Sequence, residues 1–122
     1  MLAFAAKFQG KPVILSEIGA SASPGAYEPI RGSEEYQAQL LLAALRKAWT
    51  DDRISGLAIW QFCNNRTQNI SNGATTPQGF NIKGVVDEYR RPKFAWCAIH
   101  GFFAEIGYAR QVNKRIRDSI AN

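Results

Sequence analysis

Lys11-Pro12-Val13-Ile14-Leu15-Ser16-Glu17-Ile18-Gly19 is the stretch on which the fold turns. Val13-Ile14-Leu15 is a continuous apolar run entered through a proline. Such a run, without polar alternation, suits a strand covered on both faces, as in a parallel sheet. It ends abruptly at Ser16-Glu17-Ile18-Gly19. An acid at the mouth of a buried strand is costly unless it faces a cleft with donors around it. A nearby arginine or a backbone amide would also satisfy Glu17, so the segment alone leaves both structural and chemical roles open.

The neighbouring segments repeat the theme. Residues 3–9 predict the end of a helix, with Gly10 as its C-terminal cap. A Ser-, Pro- and Gly-rich loop runs from Ala20 to Gly32. Ser33 then caps a helix whose first turn holds Glu34 and Glu35, where the macrodipole favours acids. Leu41, Leu45, Ala48 and Trp49 form its apolar stripe, and Asp51-Asp52 ends it. Gly56-Leu57-Ala58-Ile59-Trp60 predicts a second buried strand. The polar segment from Asn64 to Gly84 is long for a structureless loop unless it is functional. Arg91-Pro92-Lys93 starts another helix, with proline at its first position. Phe94, Ala95, Ala98, Ile99, Phe102 and Phe103 supply its buried side, and Gly107 ends it. Val112, Ile116 and Ile120, spaced by fours, predict an amphipathic helical tail.

The order helix, strand, helix, strand, helix, helix argues an α/β fold. Two strands cannot make a sheet covered on both faces. The chain either pairs with copies of itself or is a piece of something larger, and the second is expected. The loops after the strands are long and polar, whereas those before them are short. That asymmetry marks a barrel whose C-terminal face carries the site.

Lys plus Arg is 15 and Asp plus Glu is 10, a net +5. Much of the excess is local: Arg110, Lys114, Arg115 and Arg117 in the tail, and Arg90, Arg91 and Lys93 before it. No aromatic side chain lies between Arg110 and Asn122, which argues against a strand-stacking nucleic-acid surface and for a solvated helix face. No apolar run reaches membrane-spanning length. Met1–Gln9 lacks the layout of a signal peptide. Cys63, Cys97 and the single His100 form no metal-binding pattern, and two free thiols in a reducing compartment are expected; the location is left open, with the cytoplasm favoured over export. No cofactor or metal is expected.

Beyond Glu17, three residues could carry chemistry. Trp60 closes the second strand before a polar loop, where a flat indole could floor a sugar pocket by covering apolar C–H faces. A tryptophan there could equally be core. Asn81 and Lys83, followed by Gly84, could converge on one anion if the chain turns between them, or could simply be solvated.

In order along the chain, four pieces resemble the glycoside hydrolases of family 2. Lys11–Gly19 resembles the strand-seven segment, and Ser33-Glu34-Glu35-Tyr36-Gln37 the start of the helix that follows. Ile59-Trp60-Gln61-Phe62 is similar to the strand-eight segment. Gly79-Phe80-Asn81-Ile82-Lys83-Gly84 with Val85–Lys93 resembles the last loop and the start of helix eight. The resemblance covers roughly residues 11 to 104 and is strongest to the β-glucuronidases. It implies that residues 1–107 are the C-terminal quarter of a TIM (β/α)₈ barrel, with residues 108–122 a basic helical tail. It implies Glu17 as nucleophile, Trp60 lining the subsite of the cleaved sugar, and Asn81 with Lys83 binding a glucuronate carboxylate. A lysine supplies a point charge and an asparagine a directional donor, as such an anion requires.

Retaining glycosidases need two carboxylates about 5–5.5 Å apart. The family's acid/base is a Glu following an Asn, and no Asn-Glu dipeptide occurs here. The chain alone is therefore expected to be inactive and poorly folded, its partners being a β-glycoside and the rest of the barrel. A β-galactosidase-like specificity, a sugar-binding remnant using Trp60, or a homo-oligomer built through the tail are the rival readings. Asn65-Arg66-Thr67 and Asn69-Ile70-Ser71 match the glycosylation pattern but would place glycans at the rim of the site.

Overall fold

The computed structural model describes residues 10–68 and 79–120. The helix expected over residues 3–9 and the Asn69 sequon lie outside them. Two parallel strands, β1 (Val13–Ile18) and β2 (Ile54–Ile59), are connected by helix α1 (Glu34–Thr50). Helix α2 (Phe94–Ile120) follows the second strand, after a short antiparallel pair, β3 (Asn65–Arg66) and β4 (Phe80–Asn81). The fold is mixed α/β, and β3–β4 give the long polar segment some regular structure that its composition did not announce.

Ser33 caps α1, its Oγ accepting from the Tyr36 amide at 3.0 Å. The core lies between the helices and one side of the strand pair. Ala38, Leu41 and Leu45 of α1 meet Ala95, Ile99 and Phe102 of α2, with Val85 between them and Ile18, Leu57 and Ile59 packed against the cluster. The other side of the pair is open. Ile14 is 65% exposed and Ala58 is exposed. Helices thus cover one face of the pair, and no described residue covers the other, as expected of two strands by themselves.

Three expectations are revised. β1 does not stop at Leu15 but runs through Glu17 to Ile18. Its register with β2 slips: Leu15 pairs with Leu57 and Ile18 with Ile59, so Ser16 and Glu17 together face Ala58. An extra residue of this kind re-aims side chains locally. Helix α2 begins at Phe94 rather than at Pro92, because Pro92 bridges to Val86 and the Lys93 amide donates to the Val85 carbonyl at 3.0 Å. It also passes through Gly107 to Ile120 without a break. A helical glycine costs only about 1 kcal/mol, which the flanking apolar contacts of Phe102 and Ile106 outweigh. The buried stripe of α2 is narrow: Phe94 and Phe103 stay about half exposed, as does Trp49 of α1, over which the Arg110 guanidinium sits at 4.7 Å. Both cysteines are free thiols.

Polar side chains fix the loops. The buried Glu34 carboxylate accepts from the Gly25 amide at 2.8 Å and from the Phe94 amide at 2.6 Å, so α1 caps the start of α2. Gln37, fully buried, shares its amide protons among the carbonyls of Ala20, Lys83 and Gly84 at 2.9–3.1 Å. Lys93 is 3% exposed, and its Nζ donates to the carbonyls of Ala22 and Ile82 at 3.0 Å and to Asn64 Oδ1 at 3.4 Å. Burial pulls the Lys93 ammonium down to about 8, against the opposing pull of Glu34, Asp87 and Glu88.

Two glycines permit the close approach of these loops. A Cβ on Gly19 would lie 1.8 Å from the Trp60 carbonyl oxygen, and one on Gly84 would lie 2.2 Å from the Asn64 nitrogen and 2.4 Å from the Val86 oxygen. Gly84→Ala should therefore destabilise the folded protein by about 1–3 kcal/mol, since backbone must move. Gly107→Ala, whose Cβ meets nothing within 4 Å, should stabilise it by about 1 kcal/mol through helix propensity. Chemical denaturation of the two variants, each made in the full-length protein that carries this chain, measures both, and equal effects would contradict the close-approach account. A second expectation concerns Lys93. Its folded pKa lies below the unfolded value, so between about 8 and 10.5 the unfolded chain holds more protons, and stability from this group rises with pH. The stability of wild type relative to Lys93→Met should accordingly increase from pH 7 to pH 10; a flat difference would show that the ammonium is not desolvated.

Candidate active site

Because β1 and β2 run parallel, both C-terminal ends open on one rim. The residues singled out from the sequence sit there, joined by backbone hydrogen bonds. The Trp60 amide donates to the Ile18 carbonyl at 2.8 Å, which sets Trp60 one step from Glu17's neighbour. The Gln61 amide donates to the Lys83 carbonyl at 3.2 Å, and the Ala22 amide to the Ile82 carbonyl at 3.1 Å. The Asn81–Gly84 segment is thereby laid against the end of β2 and against the loop that leaves β1. The Trp60–Gln61 peptide is cis.

Alternation along the strands separates two sets of side chains. Ile18 and Ile59, paired in register, pack toward the helices. Glu17 and Trp60, each one residue away from this pair, fall on the opposite, uncovered side, and both are exposed. Glu17 takes part in none of the ion pairs among the described residues. Among the described residues, therefore, no basic side chain holds its carboxylate in an ion pair.

Asn81 and Lys83 are half-buried. Asn81 Oδ1 accepts from the Lys83 amide at 3.0 Å, an Asx-type turn that bends the chain between the two side chains. With its oxygen already bonded to the Lys83 amide, Asn81 can offer its amide protons to a ligand. Beside it stands an ammonium that is in none of the ion pairs among the described residues. The pair presents donors and positive charge, a surface suited to an anion rather than to a cation or metal. Among the described residues no group of three His, Cys, Asp or Glu side chains converges on a metal position. Asn65, the described sequon, is exposed in β3, and its Oδ1 accepts from Gln61 Nε2 at 2.7 Å.

Reading the sequence missed Gln37, Asn64 and Lys93, the buried polar groups that hold these loops. A signal existed for two of them. Gln37 stands four residues before Leu41 and eight before Leu45, a polar residue in line with the buried stripe. Lys93 immediately precedes a helix, where the macrodipole disfavours a cation. Asn64 carried no signal that separates it from its asparagine-rich surroundings.

No family model matches the chain. Over 100 residues, 80% of its length, it is 35% identical to a β-glucuronidase of Paenibacillus borealis, of which it spans 16%. Among solved structures, a family 2 β-galacturonidase from Eisenbergiella tayi bound to galacturonate is 42% identical over 74% of the chain, with a TM-score of 0.63 over 16% of that enzyme. A β-glucuronidase of Faecalibacterium prausnitzii is 30% identical over 86% of the chain, with a TM-score of 0.73 over 17% of its length. The chain thus spans about a sixth of each of these relatives. In sequence and in backbone alike, it is related to a segment of the glycoside hydrolase family 2 β-glucuronidases and β-galacturonidases.

Proposed function

We propose that the chain forms strands seven and eight, with their helices, of the catalytic (β/α)₈ barrel of a retaining family 2 glycoside hydrolase acting on β-glucuronides. Residues 1–107 belong to the barrel, and residues 108–122 extend its last helix as a basic tail. The observation that carries this reading is the rim itself. A carboxylate that is exposed and outside the ion pairs among the described residues, an exposed indole and an anion-suited turn gather at the C-terminal ends of two parallel strands. That is the end at which barrel enzymes place their chemistry. The open face of the strand pair supports it too, since the inward side chains of a closed barrel are covered by those of the other strands.

In this mechanism a Glu17 oxygen attacks the anomeric carbon while a second carboxylic acid protonates the departing glycosidic oxygen. The product is a glycosyl ester on Glu17 with inverted configuration. Water, deprotonated by the same second carboxylate, then attacks the anomeric carbon and frees Glu17, so two inversions give retention. Trp60 lies under the apolar face of the sugar, and Asn81 and Lys83 take the uronate carboxylate. The second carboxylate comes from the rest of the barrel, because the sequence has no Asn-Glu to supply it.

The experiment uses the full-length protein that carries this chain. Glu17→Gln should lower kcat on an aryl β-glucuronide by about 10³-fold or more, as loss of a nucleophile does. A 2-fluoro-β-glucuronide should leave its sugar on the peptide containing Glu17, read by mass spectrometry; label on another acid would overturn the assignment. Expressed alone, the 122 residues should neither turn over the aryl glucuronide nor unfold cooperatively. Turnover by the isolated chain that Glu17→Gln abolishes would show that no further strands are needed.

A further inference from the structure

Two buried polar side chains outside the rim converge on the turn that presents Asn81 and Lys83. From α1, Gln37 Nε2 donates to the carbonyls of Lys83 and Gly84 and, on the other side, to that of Ala20. From the residue just before α2, Lys93 Nζ donates to the carbonyl of Ile82 and, on the other side, to that of Ala22. The pattern is the same in both cases. One side chain ties the Asn81–Gly84 turn, at two carbonyls for Gln37 and one for Lys93, to one carbonyl of the loop that leaves the end of β1. Carbonyls 82, 83 and 84 are all engaged, so the turn is held at three successive peptides. The Ile82 carbonyl also accepts from the Ala22 amide, and Asn64 Oδ1 accepts from both the Gly84 amide, at 3.1 Å, and Lys93 Nζ.

These clamps touch no part of the rim that faces outward. They act on the peptides immediately before and after Lys83. Burying an ammonium and an amide is expensive unless each is met by acceptors, and here every acceptor belongs to one of the two rim loops or to Asn64. An apolar side chain filling the same space would leave these carbonyls unmet and the spacing of the two loops unfixed. A polar clamp instead fixes distance and orientation, which a directional carboxylate site requires to within about half an ångström.

We propose that Gln37 and Lys93 are positioning residues for uronate selectivity. They hold the Asn81–Lys83 turn at the spacing from the β1 loop at which a sugar carboxylate meets the pair while its anomeric carbon meets Glu17. This rests on the reading of Asn81 and Lys83 as the carboxylate site. Loosening either clamp weakens uronate binding while leaving the reacting groups in place.

The test takes the full-length protein and compares an aryl β-glucuronide with the matching aryl β-glucoside, which lacks the carboxylate. Lys93→Met and Gln37→Leu are each measured beside Lys83→Ala, with active-site concentration set by titration. For each clamp variant KM for the glucuronide should rise about tenfold, equivalent to about 1.4 kcal/mol of binding. The fall in kcat should be smaller, and selectivity over the glucoside should shrink. A structural role alone would lower the active fraction and leave KM and selectivity unchanged, which overturns the proposal. If Lys93→Met fails to fold, Gln37→Leu decides by itself, since it removes one clamp without touching the ammonium. If Lys83→Ala leaves the glucuronide KM unchanged, the carboxylate reading is wrong and this inference falls with it. If Lys83→Ala raises KM and neither clamp variant does, only the inference fails.

Discussion

An ammonium group out of water must be surrounded by oxygen, and Lys93 is surrounded by oxygens from three different loops. The carbonyls of Ala22 and Ile82 and the amide oxygen of Asn64 converge on it. Its basicity, pulled down to about 8 by burial, records the strain of keeping a charge there. The same desolvation makes the arrangement stiff. Moving any one loop away leaves either an unmet carbonyl or a less solvated cation, and both cost more than the single bond that is lost. The loop after β1, the end of β2 and the turn before α2 therefore move together or not at all. Gln37 repeats the constraint from the opposite helix, and Glu34 extends it by capping α2 with a side chain of α1.

This wiring explains how a rim stays ordered above only two strands. A pair of parallel strands has too few backbone hydrogen bonds to hold loops of such length. Here the loops are held from behind, by polar groups on the helices. The glycines complete the device. Gly19 lets the chain after Glu17 pass against the Trp60 carbonyl, and Gly84 lets the chain after Lys83 pass against residues 63 and 64. Each rim segment is thus pressed closely onto its neighbour, and of the four rim side chains Asn81 bonds to the Lys83 amide, which shapes its own turn.

What was legible in the sequence is what local physics alone determines. Apolar runs without alternation gave both strands; Ser33 gave the start of α1; the long polar loops after both runs, against short ones before them, gave the rim. The features that escaped depend on contacts between distant positions. The two-against-one register at Ser16 and Glu17 requires knowledge of β2. The passage of α2 through Gly107 depends on packing that outweighs a small propensity term. Lys93 looked like one of three neighbouring basic residues, though Arg91 binds Asp87 near the surface and Lys93 is buried. The sequence separates the two only through position. Arg91 lies in a turn that Asp87 caps through two backbone amides, and Lys93 immediately precedes α2, where three loops close on its ammonium.

The proposed selectivity follows from which atoms the turn has left to give. Asn81 already uses its oxygen on the Lys83 amide, which leaves its amide protons as the groups to give to an anion. Lys83 can only donate. A neutral sugar would bring a hydroxymethyl group to this position. That group can accept a hydrogen bond but carries no charge to set against an ammonium losing water. A uronate brings two anionic oxygens, one for each donor. Discrimination then comes less from extra attraction to the acid than from the penalty of leaving a desolvated cation unmatched, the kind of difference that separates substrates most sharply. That penalty exists only while the turn is prevented from swinging the lysine back into solvent. The buried clamps behind Asn81 and Lys83 are therefore as much a part of the proposed specificity as the two side chains that would touch the sugar.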